Sequence, residues 1–145
     1  MTALQRTASA TWSGTVEAGQ GQISATSGVL SNTPYSFATR FENQSGTNPE
    51  ELIAAAHAAC YSMALTLTLT EKGYQPKQVH TQANCTVESR NGGFKITKMH
   101  LETQGDVSGL DAETFQKIAQ EAEQICPVSN ALRSNVAIDL RASLA

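Results

Sequence analysis

The sequence contains little charge, and no part of it concentrates positive charge. Its 145 residues include 10 Lys or Arg and 13 Asp or Glu, which gives a net charge of −3 at pH 7. No run of Lys or Arg occurs. Proteins that bind nucleic acids or anionic membranes carry a basic patch or stripe, so the sequence predicts neither kind of partner.

Targeting and membrane-spanning patterns are also missing from the sequence. The first ten residues, MTALQRTASA, have no apolar core of the kind found in signal peptides. No stretch approaches the ~20 apolar residues that a bilayer-spanning helix requires. We therefore expect a soluble, cytoplasmic protein.

Cysteine is scarce and irregularly spaced. The three cysteines, at 60, 85 and 126, form neither a secreted disulfide framework nor a CxxC zinc pattern. We therefore expect any disulfide to be transient and chemical rather than structural. The motifs GxGxxG, GxSxG, HExxH and the P-loop are absent, which leaves nucleotide-binding, hydrolase and zincin functions without support.

The patterns that are present predict a single α+β domain over residues 1–145. Residues 1–48 are rich in Ser, Thr and Gly and alternate as strands do. From Pro49 to about Lys72 an Ala- and Leu-rich segment without internal Pro or Gly favours a helix. The later elements are a hairpin of Lys77–Arg90 with Phe94–Thr103, bulged between Ile96 and Met99, a helix from Asp111 to Cys126 closed by Pro127, and a strand over Val136–Leu140.

Two of the cysteines could be either core residues or reactive thiols. Cys60 lies in mid-helix on an apolar stripe with Leu52, Ala56, Ala59, Met63 and Leu67. A thiol in mid-helix gains little from the helix N-terminus, so a thiolate there needs a neighbouring cation. Cys126 lies at a helix end, where a resolving thiol can move, and the two form a redox pair if their helices pack together. Cys85 alternates with apolar strand residues, which favours a core position.

His57 lies one helical turn before Cys60, on the same side of the helix. An imidazole–thiol pair and a two-ligand corner of a metal site are both sterically possible. No second ligand pair at close spacing accompanies them, so the pattern by itself does not define a metal site. Whether His57 modulates the thiol stays open.

The segment TNPEELIAAAHAACYSM, together with CPVSNAL at residues 126–132, resembles the OsmC/Ohr family of thiol-dependent organic hydroperoxide peroxidases. The resemblance covers essentially the whole chain. It implies antiparallel β-sheets packed on a central apolar helix, in an intertwined homodimer. It also implies a peroxidatic Cys60, a resolving Cys126 and a site glutamate at Glu50. The family's arginine falls on Arg40 of TRFE, which points to the OsmC branch.

The reaction implied by the resemblance is reduction of an organic hydroperoxide to an alcohol. It passes through a Cys60 sulfenic acid and a Cys60–Cys126 disulfide, which an external dithiol, lipoyl-type in this family, reduces. No metal or organic cofactor is implied. In this scheme Arg40 lowers the pKa of Cys60, and Glu50 orients the guanidinium.

Helix geometry adds a hypothesis about assembly. Ten residues at ~1.5 Å each separate Glu50 from Cys60 by about 15 Å, which is too far for one site. Glu50 therefore serves Cys60 of a second subunit, and a helix that is apolar all round fits such an interface. The alternative function is a hydrophobic-ligand-binding or stress-induced structural protein on the same fold, with inert cysteines.

Overall fold

The computed structural model describes residues 2–145, which form two compact units that meet in sequence between Pro49 and Glu50. These residues make six strands in two three-stranded sheets, together with four helices. The predicted α+β class is thereby confirmed. The prediction of one domain over 1–145 stays a prediction.

The N-terminal unit is built on a small antiparallel sheet with the order β1-β2-β3. Its strands are β1 (Ala8–Ser13), β2 (Gln20–Ala25) and β3 (Thr33–Tyr35). Residues Phe37–Phe41 form a short helix, α1, within the part of the chain for which the sequence predicts strands. Ser36 and Thr39 explain the difference. The side chain of each accepts the backbone N–H of the other, a capping box that begins a helix.

The central helix of the second unit, α2, spans Pro49–Glu71 and ends one residue from the predicted end. Pro49 occupies the first turn, where its missing N–H costs nothing, and Glu50 and Glu51 complement the positive end of the helix dipole. At the other end Gly73 adopts φ +91°, and the N–H of Tyr74 bonds to the carbonyl of Leu69. The helix therefore ends at a glycine in the left-handed conformation, as predicted.

The side of α2 that faces the core differs from the predicted stripe. The buried residues are Glu50, His57, Tyr61, Ala64, Leu65, Thr68 and Leu69. Met63 and Leu67, which the sequence placed on the core-facing stripe, are 77% and 52% exposed. Because the helix is apolar on nearly every side, hydrophobic spacing could not select the buried one.

By length and composition α2 could also cross a membrane, which corrects the expectation that no such segment exists. The core helix of a water-soluble domain meets the same criterion. Here Tyr61, Leu65 and Leu69 are completely buried within their own unit. In this chain α2 therefore serves as a core helix.

The sheet of the second unit has the order β4-β5-β6. Its strands are β4 (Pro76–Arg90), β5 (Gly93–Val107) and β6 (Ala137–Leu144). The β4–β5 hairpin turns at Asn91 and Gly92, which both have positive φ. Its register shifts where Thr86 pairs with Lys98 and Val87 with Ile96, so the predicted bulge is confirmed.

The strand β6 pairs parallel to β5, which corrects the expectation of purely antiparallel sheets. The connection between the two strands contains α3 (Ala112–Ile125) and α4 (Pro127–Leu132). A parallel pair requires a crossover of this kind. Asp111 caps α3 as predicted, with its side chain accepting the N–H of Thr114.

The core of the second unit lies among α2, α3 and the sheet. Phe115 of α3 packs so closely on β5 that a Cβ at Gly105 would lie 2.7 Å from its ring. Only glycine admits this approach. The cluster comprises Tyr61, Ala64, Leu65, Leu69, Leu101, Val107, Phe115, Ile118, Ala119, Ala122 and Cys126, with Cys60 packed against it.

Candidate active site

The fold brings the thiols of Cys60 and Cys126 together. Cys60 lies in the middle of α2 and is partly exposed, whereas Cys126, between α3 and α4, is completely buried. All three cysteines are free thiols, and Cys126 is close enough to Cys60 to raise its pKa. Two thiols in such a position, one reachable from solvent, are what a redox pair requires.

The surroundings of Cys60 act on its pKa in opposite directions. Burial raises the pKa, the backbone N–H of Val128 lowers it by bonding to the sulfur, and the neighbouring Cys126 thiol raises it again. The net shift is upward. These groups favour the neutral thiol, so ionisation near neutral pH needs additional positive charge.

Arg40 belongs to the N-terminal unit, at the end of α1. Its guanidinium carbon lies 4.9 Å from the centre of the Phe41 ring, a cation–π distance. The side chain also lines a cavity of about 180 Å³. The other lining residues are Trp12, Val16, Tyr35, Ser36, Phe37 and Phe41. Arg40 is therefore a cationic group among aromatic side chains.

Glu50 lies in the first turn of α2 and is only 5% exposed. The helix is continuous from Pro49 to Glu71, so about 15 Å of helical rise separates Glu50 from Cys60 of the same chain. The carboxylate lies instead near Cys85, whose pKa it raises. Within one chain Glu50 and Cys60 do not share a site.

Cys85 differs from the other two cysteines in its surroundings. It is partly buried on β4, opposite Met99 of β5. Burial and the negative charge of Glu50 both raise its pKa. A thiol that keeps its proton is a poor nucleophile, so Cys85 is suited to packing rather than to chemistry.

A buried hydrogen bond between His57 and Ser129 was not foreseen from the sequence. The Nε2 atom of His57 lies 2.7 Å from Oγ of Ser129, and both residues are completely buried. Burial lowers the pKa of His57, and the charge of Glu123 only partly offsets this, so the imidazole is neutral near pH 7. The one signal in the sequence that could have indicated this contact is the equal spacing of the two residues from the cysteines. His57 lies three residues before Cys60, and Ser129 lies three residues after Cys126.

The hydrogen bond to Ser129 also bears on the metal-site alternative. Across residues 2–145 no group of three or more His, Cys, Asp or Glu side chains is arranged to hold a metal ion. His57 directs one ring nitrogen at a hydroxyl instead of at a ligand partner. The arrangement is that of a structural imidazole.

An ion pair spans the turn that contains Cys126. Nη2 of Arg133 lies 2.7 Å from the Glu123 carboxylate and 2.9 Å from its backbone carbonyl oxygen. Glu123 is 7% exposed. The pair joins the last turn of α3, before Cys126, to the end of α4, after it. It therefore holds together the two helices that flank Cys126.

The sequence and structure resemble proteins of one family. A family model described as OsmC-like protein matches residues 42–141. Peroxiredoxin OsmC of Escherichia coli K12 is 46% identical over 136 residues, covering 94% of this chain and 95% of that protein. The region matched by the family model includes both Cys60 and Cys126.

Solved structures agree with the sequence matches. The organic hydroperoxide resistance protein OhrB of Bacillus subtilis superposes with a TM-score of 0.73 at 31% identity, covering 94% of this chain and 98% of that one. An organic hydroperoxide resistance protein OsmC from Legionella pneumophila gives a TM-score of 0.75 at 27% identity, covering 98% and 99%. The similarity therefore extends over nearly the full length of each chain.

Proposed function

This chain belongs to the OsmC-like family, and from that premise we propose that it is a thiol-dependent peroxidase that reduces organic hydroperoxides to alcohols. The printed names of its relatives, a peroxiredoxin and organic hydroperoxide resistance proteins, support a peroxidase-type role. The observation that carries the proposal is the neighbouring pair of thiols, Cys60 partly exposed and Cys126 buried.

In the first proposed step, the Cys60 thiolate attacks the outer oxygen of the hydroperoxide. The O–O bond breaks, the sulfur becomes a sulfenic acid, and the alkoxide leaves and takes a proton to become the alcohol. The sulfur loses two electrons, and the peroxide gains them. The step needs the anionic form of Cys60, which the Val128 N–H favours and which a guanidinium beside the sulfur would favour further.

In the second proposed step, the Cys126 thiol attacks the sulfenic sulfur of Cys60. A disulfide bond forms between the two sulfurs. The hydroxyl of the sulfenic acid takes the proton of the Cys126 thiol and leaves as water. An external dithiol, which we propose to be of the lipoyl type, then reduces the disulfide and is itself oxidised. Each cycle therefore converts one hydroperoxide and one dithiol into one alcohol, one water and one oxidised dithiol.

Arg40 and Glu50 are proposed to supply the electrostatics of the first step. A guanidinium near the Cys60 sulfur lowers the pKa that burial raises, and it stabilises the charge that develops on the peroxide oxygens. A carboxylate orients the guanidinium through a fork-shaped pair of hydrogen bonds. The apolar surroundings of Cys60 favour an organic hydroperoxide over hydrogen peroxide as substrate.

The direct test of this chemistry counts free thiols. We expect one equivalent of cumene hydroperoxide per chain to lower the count from three to one, and peptide mapping to show Cys60 linked to Cys126. A dithiol should restore all three. In a Cys85→Ser variant the count should fall from two to zero. If the wild type keeps three thiols, the hydrophobic-ligand-binding or structural alternative replaces the enzyme.

We further propose that the active protein is a homodimer paired through α2. The residues Ala56, Ala59, Met63 and Leu67 recur at helical spacing on a face of α2 that is exposed in the single chain. A contiguous apolar stripe of this kind requires a partner surface. A second copy would cover part of it, and two antiparallel α2 helices that cross near residue 55 would bring Glu50 of one chain opposite Cys60 of the other.

A mixed dimer tests the shared site. One chain carries Cys60→Ser, and the other carries Glu50→Gln. Only the second chain has a working thiol, and in the shared arrangement its glutamate comes intact from the first chain. We expect the mixed dimer to recover up to about half of the wild-type kcat/KM, well above either parent homodimer.

The Glu50→Gln homodimer is the reference for this experiment. If Glu50 instead acts within its own chain, the mixed dimer will show no more activity per working thiol than that homodimer. An active protein that sedimentation shows to be monomeric would also contradict the shared site.

We propose a cytoplasmic location, because a reducing compartment keeps all three thiols free.

A further inference from the structure

We propose that His57 is a positioning residue, which acts through Ser129 to hold the first turn of α4 against α2 so that Cys126 and the Val128 N–H both face Cys60. The inference rests on the proposed peroxidase chemistry, because it concerns how fast the two thiols can react with each other. His57 itself is not proposed to touch substrate.

The first support is that α2 and the α4 turn meet at two points. Cys60 packs against the core cluster that contains Cys126, and one turn away the His57 ring is hydrogen-bonded to Ser129. The two contacts are three residues apart on each segment. A single contact would leave the turn free to rotate about it, whereas two contacts fix its position and its direction together.

The second support is the nature of the side chain at 57. A completely buried position beside Tyr61 and Leu65 would accept an apolar residue. The imidazole has instead one nitrogen bonded to Ser129 and the other, Nδ1, without a hydrogen-bond partner among the described residues. An unsatisfied buried nitrogen lowers stability. The hydrogen bond to Ser129 is therefore a specific contact, which burial of apolar surface alone would not provide.

The third support is that the far end of α4 is already held. Arg133, just after α4, bonds to the carboxylate and the carbonyl oxygen of Glu123 in the last turns of α3. These bonds hold the end of α4 to α3. The His57–Ser129 bond joins α2 directly to the α4 turn, so it aligns Cys126 with Cys60.

The test is a single-turnover experiment with a Ser129→Ala variant, which removes one oxygen atom. After mixing with one equivalent of cumene hydroperoxide, samples are quenched over time, and sulfenic acid and disulfide are measured by mass spectrometry. We expect disulfide formation from the sulfenic acid to slow about ten- to hundredfold, since small misplacements of reacting groups have effects of this size. We also expect the midpoint of Cys60 alkylation against pH to rise, because the Val128 N–H is no longer held on the sulfur.

Thr103→Val provides the matched control. Thr103 is 2% exposed, and its hydroxyl bonds to Thr81 and to the His80 carbonyl oxygen, so this variant also loses buried hydrogen bonds but none near α4. We expect both readouts to stay at wild-type values. His57→Gln, which keeps an amide donor for Ser129, should form the disulfide faster than His57→Leu, and this pair carries the test if Ser129→Ala does not fold.

Two results would overturn the inference. One is disulfide formation in Ser129→Ala within about twofold of the wild-type rate. The other is equal slowing in Thr103→Val, which would assign the effect to general destabilisation. Failure of the wild type to form any disulfide would be a different result, because it would overturn the proposed function itself.

Discussion

A Cys60→Ser variant is expected to lose hydroperoxide turnover by about a thousandfold or more while remaining folded. A serine hydroxyl is far less acidic than a thiol and cannot form a sulfenic acid or a disulfide. Replacing an enzyme's nucleophile removes most of its rate enhancement. The substitution is nearly isosteric at a partly exposed position, so stability should change little. The rate of hydroperoxide loss in the presence of a dithiol measures the effect.

Cys85→Ser is the control for this experiment. Cys85 is also a partly buried thiol, but it lies on β4 beside Glu50 and not beside Cys126. We expect this variant to keep turnover within about twofold of the wild type. Turnover by Cys60→Ser within tenfold of the wild type would be inconsistent with Cys60 as the attacking thiol.

The second large effect is expected in a Cys126→Ser variant. Its Cys60 should reduce one equivalent of hydroperoxide at a rate near that of the wild type and then stop as a sulfenic acid. With excess hydroperoxide the sulfur should gain a second oxygen, which ordinary dithiols do not remove. Intact-mass measurements distinguish one added oxygen from two, and a sulfenic-acid trap should label the variant but not the wild type.

The buried position of Cys126 makes a second variant necessary. Cys126 is completely buried, so a serine there places a hydroxyl in the core and can lower stability by itself. Cys126→Ala avoids the polar group and should behave in the same way toward peroxide. A full complement of wild-type turnovers by either variant would show that Cys126 does not resolve the sulfenic acid.

Local signals in the sequence were sufficient for several elements of the fold. The limits of α2, the Asp111 cap of α3 and the bulge opposite Thr86 all depend on residues close together in the chain. The parallel pairing of β6 depends on the path of the chain after α3, which has no local signature. The short helix α1 was hidden because its capping box lies in a Ser- and Thr-rich segment typical of strands.

The candidate site was predictable only in part, because some of its contacts join residues that are far apart in the chain. The resemblance of two motifs to the OsmC/Ohr family selected Cys60 and Cys126, and helix geometry separated Glu50 from Cys60. The Val128 N–H on the Cys60 sulfur and the bond between His57 and Ser129 both depend on how α4 lies against α2. Contacts of this kind arise from tertiary packing between segments that are about 70 residues apart in the chain, so residue spacing does not reveal them.

The complete burial of Cys126 has a consequence for the order of steps in the proposed reaction cycle. A thiol that arrives from solvent can reach only the Cys60 half of the disulfide, so it would form a mixed disulfide with Cys60 and expel Cys126 as the leaving group. Oxidant and reductant would then react at the same atom and enter through the same opening. They cannot occupy it together, so we expect the proposed cycle to alternate between them: the alcohol departs before the reductant enters, which is ping-pong kinetics.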